Sequence, residues 1–114
     1  MTATNEELSV RYEGPGVGGE IWGGTQANFL VVRTGHSATE VAVMLNDNAA
    51  AFLAVELGQE LTPAFRKDAA RVAGRAWIVR RFARIHYLEP SLVISRATFT
   101  EDPGLLADLK SAAS

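Results

Sequence analysis

Residues 62–86 read TPAFRKDAARVAGRAWIVRRFARIH. Thr62-Pro63 is a helix start: the threonine hydroxyl can cap the first turn, and proline suits a first helical position whose N–H has no partner. Phe65, Ala69, Val72 and Ala76 then share one face at helical spacing. Beyond Gly74 the apolar set becomes Trp77, Ile78, Phe82 and Ile85, which at about 100° per residue lies nearly opposite the first stripe. One straight helix would carry apolar residues on two sides. The pattern therefore predicts a break, with a helix ending near Ala73, Gly74 as a left-handed C-cap and a new element from about Ala76. Such a corner would leave Trp77 exposed among arginines.

Outward from this stretch the signals are shorter. Ala27–Arg33, ANFLVVR, is apolar and β-branched and predicts a strand ended by Gly35. Ser37-Ala38-Thr39-Glu40 fits a capping box and predicts a helix over Ala38–Asn46, with a strand through Val41–Leu45 as the competing reading. Ala51–Leu61 predicts a hairpin turning at Gly58-Gln59, with a helix over Asn48–Leu57 as the alternative. Leu92–Phe99 reads as a strand after the turn at Glu89-Pro90, and Pro103–Leu109 as a short helix. Leu8–Glu13 alternates weakly, as a first strand or an ordered tail. Between them lies GPGVGGEIWGG, six glycines in eleven residues, which predicts a loop or hairpin turn anchored by Ile21 and Trp22. Gly14, Gly16 and Gly19 match the spacing of a dinucleotide fingerprint, but Glu20–Gly24 cannot open the helix such a site needs.

These elements make a small α+β domain with an antiparallel or mixed sheet and two or three helices. They divide the chain into a flexible segment over 1–26, a core over 27–102 and a helix or tail over 103–114. A chain of 114 residues, 47% apolar, suits one core. It has no cysteine, hence no disulfide framework or thiolate metal site. The polar, acidic N-terminus lacks a signal-peptide pattern, and no apolar run is long enough to span a bilayer, so the chain reads as cytoplasmic.

The net charge of −2 is unevenly spread. Residues 1–61 carry two arginines and eight acids, a charge of −6; residues 62–88 carry six arginines and one lysine against Asp68, a charge of +6; the remainder contributes −2. A basic block on an acidic body favours an oriented, acidic partner over general polyanion affinity. The arginines scatter around their elements, which argues against nucleic acid. The apolar residues between them suit core packing as well as a membrane surface, which argues against the membrane.

Candidate chemistry is sparse. His86, Tyr87 and Glu89 could form an acid–base cluster beside a pocket, but no third metal ligand stands near His86, and no serine or threonine sits in a nucleophile elbow. His36 precedes a helix start. No catalytic, metal-binding or cofactor-binding residue is assigned.

The run from Ala51 to Phe82 resembles the regulatory (effector or coupling) proteins of bacterial multicomponent di-iron monooxygenases. The corresponding pieces are Ala51–Glu56, Leu61, a helix to Ala73, then Gly74-Arg75-Ala76-Trp77, Val79 and Phe82; upstream, Phe29–Arg33 and the Ser37-capped helix are similar to that family's opening. The chain departs from the family at Ala73, where a leucine is usual, in the glycine-rich stretch, and after His86. The resemblance implies a protein without cofactor or active site that docks on a larger enzyme, a di-iron hydroxylase, and modulates it. The residues expected to meet such a partner are Arg75, Trp77, Arg80, Arg81 and Arg84, with Trp22 from the loop. The alternatives are a ligand-binding or catalytic domain with a pocket near His86 and Tyr87, and an unrelated adaptor.

Overall fold

The computed structural model describes residues 8–16 and 23–113. It is an α+β domain with a four-stranded mixed sheet and four helices, where the sequence predicts two or three. Strands β1 (Leu8–Pro15), β2 (Gly24–Arg33) and β3 (Thr39–Asn46) form an antiparallel meander. Helices α1 (Asp47–Leu57) and α2 (Pro63–Ile85) then cross over to β4 (Ser91–Ile94), which pairs parallel to β3 at the far edge. Helices α3 (Arg96–Glu101) and α4 (Pro103–Ala113) close the chain. Because β1 is a sheet strand, the division at residue 26 does not separate a flexible segment from the core.

The sheet has one covered face. Phe29, Val31, Val41, Val43, Leu45 and Ile94 are buried, while their neighbours Leu30, Val32, Ala42, Met44 and Val93 remain partly or largely exposed. A period of two is the strand signature, and it overturns the helix expected over Ala38–Asn46. Val41, Val43 and Leu45 all belong on one side, which only an extended chain achieves. Ser37 and Glu40 make no capping box there. Gly35, at φ +83°, instead turns β2 into β3.

Residues 47–57 take the helical alternative to the expected hairpin. Ala49, Ala50, Leu53 and Ala54 are buried at helical spacing, and the left-handed Gly58 (φ +66°) ends the helix with its N–H directed to Val55 O. The expected strand over Leu92–Phe99 stops at Ile94; Ser95 then begins α3, its N–H donating to Thr98 Oγ1 at 3.0 Å.

Helix α2 is unbroken for 23 residues, which overturns the expected corner at Gly74. The two apolar stripes are real, but both are used. Ala70, Gly74, Trp77 and Ile78 lie on the buried side toward the sheet. Phe65, Ala69 and Val72 face Leu53 of α1 and Leu109 of α4. A helix sandwiched between two layers needs two apolar sides, so opposed stripes do not require a break. Gly74 is a point of closest approach: a Cβ there would stand 2.8 Å from Phe29 Cε1 and 3.3 Å from Val43 Cβ.

The N-terminus of α2 forms as its sequence predicts. Thr62 Oγ1 accepts from Phe65 N–H at 3.0 Å, and Pro63 follows. Thr62→Ala should cost about 1 kcal/mol. A thermal melt would then show Tm falling by about 4 °C; an unchanged Tm would mean the cap contributes nothing here.

Candidate functional site

The residues expected to form a docking face are dispersed. Trp77 is only 6% exposed and belongs to the core, so it offers no indole to a partner. Trp22 lies outside the described residues. Arg75 donates through Nη1 to Val10 O at 2.7 Å, tying α2 to β1. Arg80 makes a two-pronged contact with Asp102, Nε to Oδ2 and Nη2 to Oδ1 both at 2.7 Å, and reaches Asp108 Oδ2 at 2.9 Å through Nη1. Arg81 donates from Nε and Nη2 to Glu89 Oε1 at 3.0 and 2.7 Å, with its guanidinium 5.7 Å from the Trp77 ring centroid. These three arginines fasten α2 to its surroundings. Removing Arg80 and Arg81 would therefore loosen the fold, so their loss cannot isolate a binding effect.

Asp102 is 8% exposed, and the Arg80 guanidinium holds its carboxyl below the usual carboxylate range, against the opposing effect of burial. Arg80 is correspondingly raised, chiefly by its hydrogen bond to Asp102. Arg84 is exposed and close enough to lower Asp102 further, without an ion pair of its own among the described residues.

The C-terminal end of α2 does assemble a different group. The Arg33 guanidinium, delivered by the end of β2, lies 4.9 Å from the Phe82 ring centroid. On the same ring His86 packs edge-on at 5.9 Å. His86 is the C-cap: its N–H donates to Phe82 O at 2.8 Å, and it adopts φ +56°, a left-handed conformation costly for a residue with a Cβ. Among the described residues it is the one non-glycine with positive φ. Ile85, 43% exposed, and Tyr87, 61% exposed, flank it. Sequence reading did not single out Arg33, since its role depends on a helix far away in the chain that no local spacing reveals.

The hollow bordered by Tyr87 and Glu89 is small. Glu89 is occupied by Arg81, and the space among Val41, Ile78, Arg81, Tyr87, Leu88 and Glu89 cannot hold a water molecule. Among the described residues no three histidine, aspartate or glutamate side chains gather as metal ligands, and no helix is long and apolar enough to cross a membrane. Larger hollows lie elsewhere. One of about 290 Å³ separates α1, α2 and α4 and is lined by Leu53, Leu57, Phe65, Val72 and Leu109. Another of about 390 Å³ lies beside Gly24, Gln26, Asp47, Arg66 and Lys67. Neither is lined by a histidine.

No family profile, no curated protein and no solved structure matches this chain. The segments that carry the resemblance to monooxygenase effector proteins lie in α1 and α2. Ala51–Glu56 is helical, and Gly74-Arg75 sits inside α2.

Proposed function

We propose that this chain is a docking module, without catalysis of its own, that binds a larger protein and modulates it through the C-terminal end of α2. One observation carries the reading. Arg33, Phe82 and His86 form a stacked group at a helix end whose neighbours Ile85 and Tyr87 stand in solvent. A cation beside exposed apolar and aromatic side chains suits a partner segment that is itself acidic with an apolar residue. The left-handed His86 supports the same end of the molecule, since backbone strain is retained where the surroundings demand one conformation. The pairing of Glu89 with Arg81 disfavours the acid–base cluster of the alternative reading. A di-iron hydroxylase, the partner implied by the resemblance, is one enzyme to test.

Arg33→Glu combined with Tyr87→Ala leaves the Arg80 and Arg81 anchors intact and removes the charge and the exposed ring. Tagged full-length chain should retain its partner at about 50 mM salt and lose it near 300 mM, because exposed charges are screened over shorter distances as salt rises. The double variant should bind at least tenfold more weakly, about 1.4 kcal/mol, with an unchanged melting curve. Equal retention of the partner by both chains would place docking elsewhere.

A further inference from the structure

Among the described residues no helix covers the second face of the sheet, where the polar Ser9, Gln26, Asn28 and Ser91 stand beside apolar side chains. Leu30 and Val32 on β2, Ala42 and Met44 on β3 and Val93 on β4 form a diagonal apolar band, with Val32 37% and Val93 55% exposed. A sheet face left in water normally alternates to polar residues. The charges bordering this band are ordered. Arg11 pairs in register with Leu30, and Leu30 with Glu40, so one row across the sheet reads cation, leucine, anion. Arg11 and Glu40 are both exposed.

We propose that this face binds a second copy of the chain, sheet to sheet, across a two-fold axis parallel to β2. That axis exchanges the sides of the sheet while keeping position along the strands. Leu30 meets Leu30 of the second copy, and Arg11 of each copy meets Glu40 of the other. An axis perpendicular to the strands would instead set Arg11 against Arg11, so the charge row selects one arrangement. Among the described residues Arg11 donates only through Nε, to Glu13 at 2.8 Å, which leaves both terminal nitrogens for another carboxylate. A hollow of about 290 Å³, lined by Glu13, Asn28, Glu40, Ala42 and Pro90, can receive the incoming guanidinium. Strands of 8, 10, 8 and 4 residues, spaced about 4.8 Å apart with about 3.3 Å per residue, give a patch of roughly 475 Å² in projection. That is below the roughly 800 Å² per partner of an ordinary specific interface and suits a weak, reversible association. The interface leaves the end of α2 free and does not depend on the docking reading.

Sedimentation of the full chain from about 1 to about 200 µM should show a monomer–dimer equilibrium in the micromolar range. Arg11→Glu and Glu40→Arg should each weaken self-association at least tenfold, since each turns two attractive contacts into two repulsive ones. Mixing the two variants should restore a heterodimer of near wild-type affinity, because every facing pair is again opposite in sign. Glu40→Arg decides alone if Arg11→Glu disturbs β1 through Glu13. A chain monomeric at every concentration leaves the face to some other protein and overturns the proposal. So does a Glu40→Arg variant that associates like the wild type, or a mixture of folded variants that forms no heterodimer.

Discussion

Gly74→Leu is expected to lose more than about 3 kcal/mol of stability, and Gly74→Ala up to about 2 kcal/mol. The argument is steric. Phe29 and Val43 are fully buried, so neither can swing into solvent when a side chain appears against it. A Cβ at 2.8 Å from Phe29 Cε1 must push the ring or lift α2 from the sheet. Overpacking of this kind costs about 1–3 kcal/mol for small additions and more for large ones. Alanine returns about 1 kcal/mol through its better helix propensity. The net loss for alanine is therefore modest and that for leucine exceeds about 3 kcal/mol, a large share of the stability of a small domain. Urea titration of both variants is the measurement. An alanine variant more stable than the wild type would mean the sheet and α2 separate easily.

The second large effect is expected at Asp102. Asp102→Ala removes both oxygens from the Arg80 guanidinium and leaves that charge with Asp108 alone. Breaking a buried pair typically costs about 3–5 kcal/mol. The Arg80 side chain is 31% exposed, so water recovers part of that, and about 2–3 kcal/mol is expected. The pH dependence has a definite sign. The carboxyl pKa is lowered in the folded state, so its contribution is complete above the ordinary value near 4 and disappears as pH falls through the folded value. Stability measured from pH 7 downward should decline for the wild type below about pH 4, and Asp102→Asn should flatten that decline. A parallel decline in both chains would assign the acid limb to other carboxylates.

Thr62-Pro63, the strand Ala27–Arg33 and the start of α4 at Pro103 were legible because capping residues, β-branching and proline act within a few positions. Gly58 was legible as a breaker but not as a cap, since a glycine stops a hairpin and a helix equally well. Residues 38–46 misled because Ser37 and Glu40 have capping-box spacing, while Val41, Val43 and Leu45 satisfied a strand that only β2 could recruit. Gly74 misled for a related reason. A glycine permits a left-handed turn and also a close approach, and the sequence does not contain Phe29 beside it. The arginine block looked like a surface feature because Asp102, Asp108 and Glu89, which neutralise Arg80 and Arg81, stand later in the chain. Arg33 and Phe82 were each visible, but the contact between them is tertiary.

The meander of β1, β2 and β3 closes through nearest neighbours, whereas β4 must wait for two helices to be laid across the sheet before its four residues find β3. Hairpins form on about microsecond timescales, whereas the parallel ladder carries the loop-closure penalty of the whole crossover. The edge at Ser91–Ile94 is consequently the last seam to knit and the first to fray, and its amides should exchange with deuterium well before those of Val31 or Val43.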